Sequence, residues 1–236
     1  MPMTEDSRRT FLFGAGAAGL LIAGCAKTAV HSEEKSPGGG ADEGVAPPED
    51  LMREHGVLNR ILLIYEEGAR RLDAQQPLPI EVVSKSADII RRFIEQYHEK
   101  LEEDFLFPRF EKANQLVDLV ATLRRQHQGG RTLTETILRL STPASVQKDD
   151  DRRMLTATIR SFVRMYRPHE AREDSVLFPA FRGVVSKKEF HELGEQFEDK
   201  EHQLFGKEGF EGIVAQVAAL EQALGTYDLN QFTPSP

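Results

Sequence analysis

The chain has 236 residues, 39% of them hydrophobic, with 14 Phe, no Trp and a formal net charge of -8. That suffices for one sizeable domain with a real core but no membrane-embedded body, and no basic block stands out to attract a nucleic acid. The single Cys excludes an intramolecular disulfide and a cysteine-rich metal site.

The chain opens with Ser7-Arg8-Arg9-Thr10-Phe11-Leu12 and then a glycine- and alanine-rich apolar run ending Leu21-Ile22-Ala23-Gly24-Cys25. Paired arginines before a short apolar stretch resemble a bacterial export signal of the twin-arginine type. From Phe11 to Ala23 the run is 13 residues, short of the roughly 20 that a spanning helix needs. The Ile-Ala-Gly-Cys ending resembles a bacterial lipobox, in which the Cys is lipidated and becomes the mature N-terminus. Residues 1–24 are therefore expected to be an export signal and Cys25 a lipid anchor. Residues 25–50, with Pro37-Gly38-Gly39-Gly40 and Pro47-Pro48, read as a flexible tether. The expected location is outside the cytoplasm, lipid-anchored to a bacterial membrane.

From Leu51 onward the pattern is helical. Pro48 and Asp50 suit a helix start, and Leu51, His55, Leu58, Leu62 and Tyr65 form one stripe. Gln75-Gln76-Pro77-Leu78-Pro79 is a turn. A second helix is expected from about Ile80 to Phe107, with Val83, Ala87, Ile90, Ile94, His98, Leu101 and Phe105 inward and Pro108 as its stop. Glu102 lies one turn after His98 on the same face. The third helix runs from about Gln115 to Leu140, with Leu116, Val120, Leu123, His127, Thr134 and Ile137 inward, before the break at Thr142-Pro143. The fourth runs from about Lys148 to Phe178, with Leu155, Thr158, Phe162, Met165, His169, Glu173 and Val176 inward. Pro168 is expected to kink it before His169, and Pro179 to stop it. Short connections imply antiparallel neighbours, hence an all-α, up-down-up-down four-helix bundle over 51–183. Residues 184–236 form an additional C-terminal helical segment, amphipathic from about Lys187 to Leu224 and interrupted near Gly206 and Gly209.

Within these helices one unit is written twice. His55 precedes His98-x3-Glu102 by 43 residues, and His127 precedes His169-x3-Glu173 by 42. A lone His on an apolar face is ordinarily a hydrogen-bonded core residue, and a His-Glu pair at i, i+4 is often a surface contact. Those explanations must here hold on four stripes at once, in a duplicated order. Burying an unpaired carboxylate costs several kcal/mol, and no Lys or Arg on the stripes neutralises Glu102 or Glu173. Two divalent cations would. Histidine and carboxylate ligands suit iron, manganese or zinc, and four imidazoles with two carboxylates leave two divalent ions net positive, with room for a small ligand.

The pattern His, His-x3-Glu-Glu-x2-Leu-Phe-Pro, His, His-x3-Glu resembles the hemerythrin-like, or HHE cation-binding, family over about Leu51 to Phe181. The segment Glu198-Asp199-Lys200-Glu201-His202 through Phe205-Gly206 is similar to family members too. The resemblance implies two iron ions with a bridging oxo or hydroxo group, held by His55, His98, Glu102, His127, His169 and Glu173. Manganese and zinc accept the same ligands. Oxygen-carrying hemerythrins have His-x3-His in the third helix, where this chain has Arg131, and His-x4-Asp in the last, where it has His169-x3-Glu173. The departure implies a more open centre that binds or reacts with O2, peroxide or nitric oxide, rather than a reversible carrier or a dedicated enzyme. An iron- or oxygen-sensing module without turnover is the alternative. A ferritin-like oxidase ranks lower, because those bundles use Glu-x-x-His.

Around this set, Glu99 and Glu170 follow each His and point roughly 100° away from it. They are expected as solvated charges, with an extra ligand as the alternative. Tyr97 and Tyr166 are candidate hydrogen-bond donors to the site. Gly129-Gly130 costs about 1 kcal/mol per residue relative to Ala in mid-helix. That is either accidental or leaves room for a ligand. His31, His191 and His202 fall outside the repeat and read as non-ligands. The partners expected are a small diatomic or peroxide ligand and the membrane through the lipid. No protein partner is specified.

Overall fold

The structure is a computed structural model and describes residues 46–234. The expected export signal with Arg8 and Arg9, the lipidated Cys25 and most of the tether lie outside the described residues.

Among the described residues there are six long helical rods and no strand. The first, α1 (Pro47–Asp73), starts on a proline and carries Glu49 and Asp50 in its first turn, which suits the exposed N–H groups and positive dipole end there. The second, α2, spans 80–113; α3 is Val117–Leu140; α4 spans 149–181. A one-turn helix, Pro143–Val146, precedes α4 and is capped by the Thr142 side chain accepting from the Ser145 amide. The C-terminal segment resolves into two rods, α5 (Lys187–Phe205) and α6 (Gly209–Leu224). They separate at Gly206 and Gly209, whose φ values of 76° and 43° an L side chain rarely adopts.

Pro108 and Pro179 do not stop their helices. In α2 the turn Glu102–Leu106 is π-helical and the α-helix resumes at Phe107–Ala113. In α4 the turn Glu173–Leu177 is π-helical and Phe178–Phe181 follows. A proline has no N–H for the carbonyl four residues back, and its ring crowds that carbonyl. The wider turn accommodates both: the Phe107 N–H bonds to the Glu102 carbonyl and the Phe178 N–H to that of Glu173, each five residues back. The real stop of α2 is Asn114, in left-handed geometry at φ 53°. A longer π segment, Ile90–His98, ends on the site histidine of α2. Pro168 also differs from expectation: the α-helix Asp149–Arg172 runs through it without interruption.

The extra residue in each π turn shifts the buried stripe by one. Phe105 and Val176 are half-buried, and Leu106 and Leu177 take the core positions. In α4, Thr156 and Ile159 are buried, whereas Thr158 and Met165 are only partly covered. The expected stripe of α1 is buried throughout, as is that of α3 apart from Leu116, which is half-buried just before that helix.

Packing follows from these stripes. The α1 rod packs on α2 and α4, and α3 packs on the same two, so the first four rods surround a common interior. Rods α5 and α6 cover α1, and α6 also touches α2. Phe205 sits edge-on to Phe93 and Tyr97, and Phe197 edge-on to Phe105. Full burial of an aromatic or aliphatic side chain contributes about 1.5–3 kcal/mol, so this apolar cover fixes the rods around the polar centre. No helix of the described residues is long and apolar enough to cross a membrane.

Candidate metal centre

All six residues of the repeat are buried in the interior of α1–α4: His55 from α1, His98 and Glu102 from α2, His127 from α3, His169 and Glu173 from α4. Potential ligand atoms of Glu102, His127, His169 and Glu173 lie within 4.8 Å of one another, and so do those of His55, His98 and Glu102. Both carboxylates stand between histidines of the two halves. The Glu102 Oε2 is 3.3 Å from His127 Nε2 and 3.9 Å from His98 Nε2. The Glu173 Oε2 is 3.1 Å from His169 Nε2 and 3.4 Å from His55 Nε2. The imidazoles pair off, with ring centroids 4.7 Å apart for His55 and His98 and 5.1 Å for His127 and His169.

Each histidine is held through its other nitrogen. Nδ1 of His55 lies 2.7 Å from Asp174, that of His98 2.6 Å from Glu54, that of His127 3.1 Å from Glu103 and that of His169 2.9 Å from the Gln126 side-chain oxygen. In a neutral imidazole, a proton placed on Nδ1 by these acceptors leaves Nε2 with a free lone pair for a cation. The pattern repeats between the halves. The residue before each lone His (Glu54, Gln126) orients the His of the His-x3-Glu pair, and the residue after each Glu (Glu103, Asp174) orients the lone His of the other half. Phe107 stacks on His127 at 5.5 Å and Phe178 on His55 at 5.4 Å. Each lone His therefore receives its carboxylate and its orienting acceptor from one π turn on the neighbouring rod, and its aromatic cover from the residue directly after that turn. The four orienting residues were absent from the sequence-derived set, although their fixed position beside each repeat residue was the available signal.

Electrostatics mark the centre as unfinished without a cation. Burial and the neighbouring Glu173 push Glu102 well above the usual carboxylate range. Burial acts the same way on Glu173, but His169 and His55 outweigh it and hold that carboxyl well below. For His55, burial opposes the charge while Asp174 and Glu173 raise the imidazole to about 10. Burial and the neighbouring His55 push His98 well below its ordinary value. His127 falls to about 4 through burial and the nearby His169, against the pull of Glu103. Both oxygens of Glu102, both of Glu173, and Nε2 of His98 and of His127 are buried with no hydrogen-bond partner. Six such atoms aimed at one interior are costly as bare polar groups and suited, by donor type, to divalent cations.

Glu99 and Glu170 depart from the surface reading, at 1% and 2% exposed. Glu99 accepts from the Tyr166 hydroxyl at 2.7 Å and from Arg131 at 2.8 Å, and Arg131 also reaches Glu103 at 2.7 Å. Glu170 accepts from Asn59. Burial raises both carboxyls to about 8. Arg131 thus lies beside the centre as a counter-ion to its supporting carboxylates. Tyr97 is buried with its hydroxyl near Glu54 but outside hydrogen-bond geometry. Gly130 is explained by Tyr166: a Cβ there would collide with the phenol, while one on Gly129 meets only Met165, at 3.5 Å.

An all-helical scaffold enclosing a histidine–glutamate cluster able to hold cations defines a helical metal-binding domain. Comparison with known families matches the hemerythrin HHE cation binding domain over residues 46–181 and again over 119–233, and the chain belongs to that family. It is similar to the uncharacterized proteins Mb2018 of Mycobacterium bovis and MT2051 and Rv1995 of Mycobacterium tuberculosis. Each is 46% identical over 241 residues, covering 99% of this chain and 93% of the relative. No solved structure matches the chain.

Proposed function

We propose that the chain is an exported, non-haem di-iron protein that binds or reacts with O2, peroxide or nitric oxide. In this reading α1–α4 form an up-down-up-down bundle, supported by their mutual packing and short connections. His55 and His98 would hold one ion, His127 and His169 the other, and Glu102 and Glu173 would be shared. The observation that carries it is the set of six buried, unpartnered ligand atoms on Glu102, Glu173, His98 and His127. An iron pair held there, with the oxide or hydroxide bridge the family resemblance implies, would supply redox activity and open coordination for a small ligand. The chain's own groups hold the imidazoles by Nδ1, exclude water with Phe107 and Phe178, and balance charge with Arg131 against Glu99 and Glu103. Arg131, standing where oxygen carriers have a further His, supports reaction or sensing over reversible carriage.

The remaining assignments are residues 1–24 as export signal, Cys25 as lipid anchor, the residues from 25 up to the start of α1 as tether, the HHE domain through residue 183 and 184–236 as its C-terminal addition; the expected tether end at 50 moves back because the first helix already begins at Pro47. The Arg8-Arg9 pair and the Ile-Ala-Gly-Cys ending support them. The test is anaerobic loading of the full chain with ferrous iron, followed by metal analysis and Mössbauer and optical spectra before and after O2, peroxide or nitric oxide. Two irons per chain and a spectral change with at least one of these are expected. A protein with two irons that responds to none would overturn the reactive reading, and one that retains no metal would overturn the di-iron reading.

A further inference from the structure

Beside the histidine–glutamate cluster lies a second group of acidic side chains. Asp50 and Glu54 come from α1 and Glu201 from α5, and oxygens of all three lie within 4.8 Å of one another. Each has a structural partner on one side. Asp50 pairs with Arg53 at 3.2 Å, Glu54 presents Oε2 to His98 Nδ1 at 2.6 Å, and Glu201 Oε1 accepts from the Phe210 amide at 2.8 Å, at the start of α6. These contacts do not account for what faces inward. Glu54 is fully buried and its Oε1 has no partner; the Tyr97 hydroxyl, on a side chain 1% exposed, lies close to Glu54 and has none in hydrogen-bond geometry either, with Asp50 and Glu201 near enough to act on it electrostatically. Glu201 can approach this closely because position 209 is glycine, where a Cβ would collide with its carboxylate. Arg53 is the cation paired with this group, and it also contacts Glu211, while Glu198 adds further negative charge near Asp50.

We propose that Asp50, Glu54 and Glu201, with the Tyr97 hydroxyl, form a separate site for one hard divalent cation such as Mn2+, Mg2+ or Ca2+. The donors are all oxygen, which selects hard ions and separates this site from the histidine-rich cluster. With all three carboxylates ionised beside one arginine, a divalent charge would offset the two negative charges left over. It also gives the orphaned Glu54 and Tyr97 oxygens a partner. Burial, reinforced by Glu54 and Glu201, raises Asp50 to about 7, as expected of carboxyls crowded without a cation. Because Glu54 contacts both the new site and His98, an ion here would polarise the carboxylate that orients His98. The inference does not depend on which metal, or whether any, fills the histidine cluster.

The experiment uses the full chain stripped of metal, given two equivalents of Zn2+, and titrated with Mn2+ by electron paramagnetic resonance. Zinc outranks manganese at nitrogen–oxygen sites, so Mn2+ should leave the histidine cluster alone. The wild type is expected to take up one Mn2+ per chain. Glu201→Gln, which keeps an acceptor for the Phe210 amide, and Asp50→Asn should each weaken that binding at least tenfold, with circular dichroism and bound zinc unchanged. Tyr97→Phe should weaken it less. No Mn2+ uptake by the wild type, or equal uptake by wild type and Glu201→Gln, would overturn the proposal. The zinc count, read separately, tests the histidine cluster.

Discussion

At the scale of single residues, the centre is built by side chains that touch the repeat rather than belong to it. Gly130 shows how tightly. Its missing Cβ admits the Tyr166 phenol, which donates to Glu99, which in turn pairs with Arg131. Gly130→Ala should displace that phenol and destabilise the protein by about 1–3 kcal/mol through overpacking and the broken buried bond. Gly129→Ala, one residue away and in ordinary contact, should stabilise it by about 1 kcal/mol through helix propensity. Urea denaturation of the two variants checks the contrast, and equal effects would contradict it. Asp50 gives a pH-dependent counterpart. Its folded value near 7 lies above the ordinary 3.8, so between those values the folded state of the metal-free protein binds the extra proton. Stability should therefore be fullest below about 4 for this group and fall as pH rises to about 7. Asp50→Asn should flatten that part of the decline, as followed by melting temperature in chelator across pH 4 to 8. The placement of the six repeat residues was legible because helical spacing puts His and Glu on inward stripes. Their orienting partners were not. Glu54 and Gln126 differ in type, as do Glu103 and Asp174, and each sits one position off the stripe.

At the scale of elements, the lesson lies in the prolines. Periodicity placed the helix starts and turns within a few residues, but Pro108 and Pro179 read as stops. The rods continue because a π turn removes the clash, and no residue pattern announces that a helix will widen instead of ending. The consequence is functional. The extra residue moves the core position from Phe105 to Leu106 and from Val176 to Leu177, and the same turns place Glu103 and Asp174, and the residues just after them, Phe107 and Phe178, against the lone histidines. Turns between rods carry strain of a simpler kind. Exposed Gln75, after α1, is held at φ 51°, a conformation that favours glycine. Gln75→Gly should stabilise the protein by a few tenths to about 1 kcal/mol, because relief of the left-handed strain outweighs the added freedom of the unfolded chain. Thermal denaturation decides the sign, and a lower melting temperature would contradict the strain argument.

At the scale of the whole molecule, the family match is double, over 46–181 and 119–233. The rods α3 and α4 are thus shared between a hairpin before them and a hairpin after. Only the first of these brings a His-x3-Glu pair inward. In α5, His191-x3-Glu195 repeats the spacing, but the two side chains are 70% and 69% exposed, and the buried positions go to Leu193 and Phe197. The third hairpin therefore resembles the others in form while serving as cover, clamped to α1 by the two-point Arg60–Glu221 pair and by Arg71 donating to the Leu224 carbonyl. Cover and centre should be separable by mutation. Phe197 is fully buried against Phe105, and Phe197→Ala should cost about 3–5 kcal/mol. The loosening should concentrate in α5 and α6, read as faster hydrogen exchange over 187–224 than over α3 and α4. The zinc held by the histidine cluster should survive, since its six residues lie on the other four rods, while Mn2+ binding through Glu201 should weaken with the rod that carries it. Loss of both metals together would mean that the third hairpin is part of the centre's own scaffold rather than a lid on it.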